Sequence, residues 1–329
     1  MTKKIFVTLY APLTQYRPIT PMLILLNMGL VGVLGALGGA PPRRLWIVWS
    51  VAGLLTAGIW HVVSRFRLDG GASIKAFAIG WPLLTQVLCF TCCHFPADQG
   101  FGISLVQQVA LLVLLSLQMS LWQRRVAVIK HLLLGLIVGL TSTLHPHFVL
   151  FALLVPVASY YMRCSTPRNL LSALTGVLFG IWVTYLGLCL ISGMEVADRM
   201  AGRYLEALPA WGGWAERWRS LSVGQTILVG YVLVLSLVYA LRGMAVDVGQ
   251  SVRAEASIVL ISMVSLAVGV LTVLGTVGLT TGVGMLATLL ALQLTVHQAN
   301  TTLPLVEWWI LLVLLVPAVL DLLPFFLDL

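Results

Sequence analysis

The chain has 329 residues, of which 60% are hydrophobic and only 9% are charged. A soluble domain usually carries about 25% charged residues, so this chain has too few charges to cover a water-exposed surface. The charged residues lie in short clusters between long apolar runs, which is typical of a polytopic membrane protein. The net charge of +8 arises from Lys and Arg in the predicted loops. The sequence has no basic stripe with interleaved aromatic residues, the pattern that would indicate nucleic-acid binding.

Apolar windows as long as a membrane-spanning helix, about twenty residues, recur along the chain. They predict an all-α polytopic transmembrane helix bundle of about 10–11 segments, forming one integral membrane domain over residues 1–329. Residues 1–20 are predicted to be a cytoplasmic or interfacial lead-in, and residues 131–162 a broken helix pair. The other predicted segments are 21–39, 45–63, 76–94, 103–121, 172–192, 225–241, 256–274, 279–297 and 304–322.

Pairs of glycines four residues apart recur in the apolar windows. Such pairs lie on one face of a helix and let a neighbouring backbone approach closely. They predict close packing between helices of the same bundle, and homodimerisation through the same faces is the alternative. The pairs are Gly35 with Gly39, Gly135 with Gly139, Gly176 with Gly180, and Gly278 with Gly282.

The stretch His131–Met162 has 32 residues and no charge after its start. A straight helix of this length would measure about 48 Å. That is too long for one crossing of a core about 30 Å thick, and the stretch is too short for two full spans and a turn. Pro146 removes a helical donor and disfavours helix at His145. The sequence therefore predicts two short helices that meet at a polar break, and the length favours a hairpin.

The loop charges predict the orientation of the N-terminus. With the hairpin, 13 of the 19 Lys and Arg residues fall on the cytoplasmic side, as the positive-inside rule requires. With a single tilted span the division is the same. The N-terminus is predicted to be cytoplasmic in both cases, and the side of the C-terminus stays open.

The longest predicted loop, about Gly193–Gly224, contains Trp211, Trp214 and Trp218 at helical spacing. Tryptophan prefers the membrane interface, so this stripe predicts an amphipathic helix in the headgroup plane. Such a helix is either a passive connector or a site that holds a lipid-linked substrate or docks a partner.

Two histidines flank Pro146 at the predicted break. His145 and His147 carry donor atoms suited to a metal ion, together with Cys92–His94 from another segment. A metal site needs three or four ligands, and only one pair is close in sequence, so we predict no metal and no cofactor. His145 and His147 stay candidates for binding a small or lipidic solute.

Ionisable residues within membrane segments are the usual sign of ion-coupled transport. Glu307 and Asp321 lie near the two ends of the last predicted segment, and no acid lies at mid-membrane. The sequence contains no phosphate-binding loop, HExxH or GxSxG motif. This pattern disfavours ion-coupled or ATP-driven transport by this chain alone.

A different set of residues would suit a transferase that acts on lipid-linked sugars. Asp98, in the predicted second external loop, is a candidate general base toward an acceptor hydroxyl. Arginines of the long loop would bind phosphate, and they are Arg199, Arg203, Arg217 and Arg219. The arrangement requires the hairpin, which puts both loops outside. The alternative for Asp98 is a turn residue before Gly100.

Four parts of the chain carry a resemblance to known sequences: the stretch Gly139–Pro146, the run Phe148–Tyr161, the loop Pro167–Leu171 and Gly176. They resemble a family of functionally uncharacterised polytopic inner-membrane proteins from Bacteroidetes-type bacteria. In that family a small-residue, Ser, Leu, aromatic and Pro stretch precedes an Arg-containing loop and a Gly-bearing helix. This chain has histidines where aromatic residues are common in the family. The resemblance implies a multi-pass protein of a bacterial inner membrane.

Three functions are compatible with these features. The first is a non-catalytic component of cell-envelope biogenesis or of a membrane complex, with membrane lipids and a membrane protein as partners. The second is a lipid-linked glycosyl or polymerase-type transferase with a polyprenyl-phosphate-linked substrate. The third is a facilitator for a small or lipidic solute.

Overall fold

The computed structural model describes residues 25, 27–33, 36, 42–68, 75–94, 101–207, 214–245, 252–274, 278–300 and 319. Within these ranges the regular structure is helical and no strand occurs, which confirms the predicted all-α class. The helices are α1 (Pro42–Phe66), α2 (Lys75–His94), α3 (Phe101–Met119), α4 (Val128–Leu144), a 3-10 helix (Pro146–Leu153), α5 (Leu154–Tyr161), α6 (Pro167–Ser192), α7 (Met194–Ala207), α8 (Trp214–Arg219), α9 (Val223–Ala245), α10 (Val252–Val273) and α11 (Leu279–Asn300).

Five of the described helices are long and apolar enough to cross a membrane: α1, α6, α9, α10 and α11. Shorter apolar stretches in α2, α3, α4 and the 3-10–α5 pair lie between α1 and α6. The described helices are therefore those of a multi-pass membrane protein. The predicted segments 21–39 and 304–322 lie mostly outside the described residues.

Helix α11 forms the centre of the bundle. All of residues 279–296 are buried, because α11 packs against α1, α2, α3, α9 and α10. A helix that is apolar or small all round is expected in such an enclosed position. The hydroxyl of Thr288 donates to Oε1 of Gln108 at 3.2 Å, and Ser104 Oγ donates to the carbonyl of Thr280 at 3.5 Å. These bonds join α3 to the central helix.

The chain after α4 returns along the bundle as a hairpin, as predicted. The 3-10 helix and α5 run back beside α4 and place Oγ of Ser159 3.2 Å from Nε2 of His131. At the same end, the N–H of Gln123 donates to the carbonyl of Met162 at 2.9 Å. The two halves of the broken pair therefore lie side by side and do not form one continuous helix.

A 3-10 helix explains how so short a stretch reaches twice across the bundle. Its rise is about 2.0 Å per residue, so eight residues cover about 16 Å. The eight residues of α5 add about 12 Å, and the sum approaches the hydrocarbon thickness of about 30 Å. The 17 residues of α4 cover about 25 Å. A stretch of this length with the α-helical rise throughout would be too short, and the larger 3-10 rise supplies the difference.

Two glycine pairs bring the backbones of α4 and α6 into contact. Gly135 and Gly139 of α4 face Gly176 and Gly180 of α6. A Cβ on Gly135 would overlap the carbonyl oxygen of Ala173, and a Cβ on each of the other three would press on the opposing backbone. The packing predicted for these pairs within one bundle is confirmed.

The other predicted glycine pairs have different positions. A Cβ on Gly282 of α11 would overlap the side chain of Thr272, so this glycine lets α10 approach α11 closely. Gly278 directly precedes α11. Gly35 and Gly39 lie outside the described residues.

The helix ends form two faces of the bundle. The break face contains the turn between α4 and the 3-10 helix, the starts of α3 and α11, and helices α7 and α8. The basic face contains the α3–α4 and α5–α6 loops with the adjoining ends of α1, α9 and α10, where the guanidinium of Arg253 lies 5.3 Å from the ring centre of Phe66. Nine Lys and Arg residues with described side chains lie there: Arg65, Arg67, Arg124, Arg125, Lys130, Arg163, Arg168, Arg242 and Arg253.

Candidate functional site

The candidate site is the break between α4 and the 3-10 helix. Helix α4 ends where the N–H of His145 donates to the carbonyl of Thr141 at 3.4 Å. His145 is extended, with φ −146° and ψ 107°, as expected for a residue that precedes proline. Pro146 then begins the 3-10 helix, at a position where its missing N–H leaves no bond unmade. The sequence thus ends one helix and starts the next within two residues.

The imidazole rings of His145 and His147 lie side by side at this break. Their ring centres are 5.3 Å apart and the planes are tilted by 47°. His147 is buried, and His145 is half-buried. A Cβ on Gly278 would lie 4.0 Å from Nε2 of His145, so the histidine pair adjoins the start of α11.

Helix α7 covers the break through Tyr204. The hydroxyl of Tyr204 donates to Oγ of Ser142 at 3.4 Å, and Ser142 in turn donates to the carbonyl of Gly139 at 2.7 Å. Burial raises the pKa of the Tyr204 hydroxyl, which keeps this group a neutral donor. The contact places α7 over the last turn of α4.

A tight turn at Gly193 directs α7 back onto the bundle. Gly193 has a φ of +88°, a conformation open to glycine at little cost, and it is the whole connection between α6 and α7. The hydroxyl of Tyr185 then donates to Oδ1 of Asp198 at 2.7 Å. This bond ties the first turns of α7 to the last turns of α6.

Helix α8 is attached to a different part of the break face. Nε1 of Trp218 donates to the carbonyl of Val273, the last residue of α10, at 3.4 Å. Trp211 lies outside the described residues, and only the backbone of Trp214 is described. Of the predicted tryptophan stripe, the structure thus places the Trp218 side chain against the bundle.

The predicted transferase residues are only partly within the described structure. Asp98 lies outside the described residues. Arg199 and Arg219 are exposed on α7 and α8, and Nε of Arg199 donates to the carbonyl of Glu195 in its own helix at 3.2 Å. Arg203 and Arg217 lie on the same two helices, with side chains that are not described. The grouping of Asp98 with these arginines stays a prediction.

A buried polar cluster near the basic face was not identified from the sequence. Nδ1 of His131 lies 3.0 Å from the carbonyl of Ala127, and its Nε2 adjoins Oγ of Ser159. Nε2 of Gln118 donates to the same Ser159 oxygen at 3.3 Å. Sγ of Cys164 lies 4.0 Å from Nε2 of His131. These residues come from three helices and the α5–α6 loop, so no local motif marks them. The one signal in the sequence was a histidine at the edge of an uncharged segment.

Asn169 completes this cluster at the start of α6. Its Nδ2 donates to the carbonyl of Cys164 at 2.9 Å and to that of Arg125 at 3.2 Å, and its Oδ1 accepts from the N–H of Ala127 at 3.3 Å. Thr166 caps the helix by accepting from the N–H of Asn169 at 3.2 Å. Such fully bonded polar groups hold the loop segments in place, which gives the cluster a structural role.

Within the described ranges, no group of three or more His, Cys, Asp and Glu side chains is arranged to hold a metal ion. No family model, curated protein or solved structure matches this chain. The resemblance to the uncharacterised inner-membrane family therefore stays a prediction, and the function is inferred from the site alone.

Proposed function

We propose that this protein is a non-catalytic, multi-spanning component of a bacterial inner membrane. In this proposal it serves cell-envelope biogenesis or a membrane complex by docking a protein partner on α7 and α8. One observation carries the proposal: both helices are attached to the bundle, through Tyr204 and Trp218, while a mixed set of charged side chains is exposed. That set is Glu195, Arg199, Glu206, Glu216 and Arg219.

The two sides of α7 differ in a way that suits a docking surface. Ala197 is fully buried and Tyr204 is partly buried against α4, whereas Glu195, Arg199 and Glu206 are exposed. No ion pair joins these three side chains to another described residue. Charges of both signs that are fixed in position favour a partner with a complementary surface.

Part of the interior of the described bundle favours a structural role over a passage for solutes. Two core amides bond to neighbouring hydroxyls, Gln108 to Thr288 and Gln118 to Ser159, whereas neither amide atom of Gln293 has a hydrogen-bond partner among the described residues. The cavity among α3, α4, α5 and α10 has a volume of about 40 Å³ and is apolar apart from Gln118. A space of this size holds a few water molecules at most, so it is too small for a solute.

The charge distribution supports an orientation for the proposal. The basic face carries nine described Lys and Arg side chains, and cytoplasmic loops are enriched in these residues. We therefore assign the basic face to the cytoplasm. Helices α7 and α8 then lie on the opposite side, where an envelope partner is accessible.

Native mass spectrometry of the full-length protein, gently extracted from its own membrane, tests the proposal. We expect a stoichiometric protein partner, and we expect the double reversal Glu206→Arg with Arg219→Glu to lower its retention about tenfold. Arg168→Glu, an exposed reversal on the basic face, is the matched control and should retain the partner. A wild-type protein that carries no partner, or a partner held equally by all variants, would contradict the proposal.

The transferase function is a second candidate because the 3-10 helix and α5 run back beside α4, as the transferase arrangement requires. The start of α3 lies on the same face as α7 and α8, and residues 95–100, which directly precede α3 in the sequence, lie outside the described residues. Asp98 and the four arginines would then share one side of the membrane, which supports a site for a polyprenyl-phosphate-linked substrate. A retained polyprenyl-phosphate species, with function lost in Asp98→Asn at normal protein levels, would favour this candidate over docking.

A further inference from the structure

A groove of about 590 Å³ opens at the basic face, between the end of α5 and the start of α10. The aromatic side chains of Trp122, Tyr160 and Tyr161 line one wall, and Val252 and Val259 line the other. Aromatic residues of this kind favour the level of the lipid headgroups, and the valines continue along a membrane-spanning helix. The groove therefore extends from the headgroup layer toward the acyl chains.

Two opposite charges line the groove without pairing to each other. Arg163 is exposed, and its guanidinium lies 5.7 Å from the ring centre of Trp122. Glu255 stands in the first turn of α10 and is half-buried. Neither makes an ion pair with a described residue. The groove thus presents one site for an anion and one for a cation.

The backbone holds Arg163 in this position. The residue has a φ of +53°, and its N–H donates to the carbonyl of Tyr160 at 3.0 Å. The neighbouring carbonyl of Met162 accepts from the N–H of Gln123 at 2.9 Å. The loop that carries Arg163 is therefore bonded to the α3–α4 loop, so its backbone position does not depend on a ligand.

We infer that this groove binds a zwitterionic phospholipid with an amine-bearing headgroup, such as phosphatidylethanolamine. Its phosphate would accept hydrogen bonds from Arg163, whose guanidinium suits phosphate geometry. Its ammonium would pair with Glu255, and an acyl chain would lie along Val259. An anionic lipid such as phosphatidylglycerol offers no cation to Glu255 and places its own negative charge near that carboxylate, so the groove disfavours it.

The test is native mass spectrometry of the full-length protein titrated in detergent with palmitoyl-oleoyl phosphatidylethanolamine or phosphatidylglycerol. We expect one tightly bound phosphatidylethanolamine and a preference for it over phosphatidylglycerol. Glu255→Gln should weaken phosphatidylethanolamine binding about fivefold and leave phosphatidylglycerol unchanged or tighter. Arg163→Asn should weaken both lipids, and asparagine tolerates the positive φ at this position.

Matched substitutions outside the groove are the controls. Arg168→Asn removes an exposed arginine from the same face. Asp198→Asn removes an exposed acid from the other face and keeps an oxygen that can accept from Tyr185. Both variants should bind lipid as the wild type does. A midpoint of thermal unfolding equal to that of the wild type shows that a variant is folded. Equal affinity for both lipids with no effect of Glu255→Gln, or a preference for phosphatidylglycerol, would overturn the inference.

Discussion

The hydroxyl of Tyr204 donates to Oγ of Ser142 at 3.4 Å, and this bond holds α7 over the end of α4. Ser142 lies three residues before His145, so the contact is made close to the break. Tyr204 is thus both part of the α7 surface and a neighbour of the break. The cap over the break and the proposed docking surface are therefore mechanically connected.

Tyr204→Phe removes the donor and keeps the aromatic ring. We expect a loss of about 0.5–1 kcal/mol of local stability, seen as faster amide hydrogen exchange in α7 with little change in the transmembrane helices. Tyr160→Phe, on an exposed tyrosine of the opposite face, is the control. Unchanged exchange in α7 would mean that the 3.4 Å contact does not hold the helix.

Gly135→Ala should disrupt the α4–α6 contact. The added Cβ overlaps the carbonyl of Ala173, so the helices must separate, and we expect a loss of about 2–4 kcal/mol. Gly187→Ala is the matched control, because no atom lies within 4 Å of its added Cβ; it should be neutral or slightly stabilising. Denaturation in mixed micelles measures both variants, and equal stabilities would refute the close packing.

Asn169→Ala leaves the carbonyls of Arg125 and Cys164 and the N–H of Ala127 without their side-chain partner. Because the Asn169 side chain is fully buried, we expect a loss of about 2–4 kcal/mol. Thr175→Ala, which removes an exposed hydroxyl on the same helix, should cost less than about 0.5 kcal/mol. Equilibrium unfolding compares the two, and a small effect at Asn169 would indicate that water replaces the amide.

Cys164 makes the stability of the folded chain depend on pH. Burial raises the pKa of its thiol, so the folded chain keeps a proton that the unfolded chain releases above the ordinary thiol pKa of about 8.5. The stability advantage of wild type over Cys164→Ser is therefore constant below that pH and falls as the pH rises beyond it. Thermal unfolding between pH 7 and pH 10 measures this difference. A difference that grows with pH would have the wrong sign.

Cysteine labelling measures the proposed orientation. In a background with the native cysteines replaced by serine, Ser220→Cys on the break face should react with a membrane-impermeant maleimide in intact cells. Arg168→Cys on the basic face should react only after the cells are opened. The reverse pattern would assign the basic face to the outside, against the positive-inside rule.

Much of the fold is predictable from local features of the sequence. Apolar windows set where α1, α6, α9, α10 and α11 lie, because each must match the bilayer by itself. Pro146 sets the break, since proline suits the first turn of a helix and destabilises a helix interior. The glycine pairs indicate which helix faces allow close approach, and in Gly135 and Gly176 the prediction of packing within the bundle is confirmed.

The tertiary structure decided which of these local features meet. Nothing in the sequence states that Gly135 faces Gly176, that α11 lies at the centre, or that Ser159 returns to His131. Between helices in lipid, shape and hydrogen bonding choose the partners, because apolar surfaces alone do not distinguish one neighbour from another. The 3-10 rise that completes the hairpin depends on the same packing. Arg163 and Glu255 are distant in sequence, and only the fold brings their side chains into the lining of one groove.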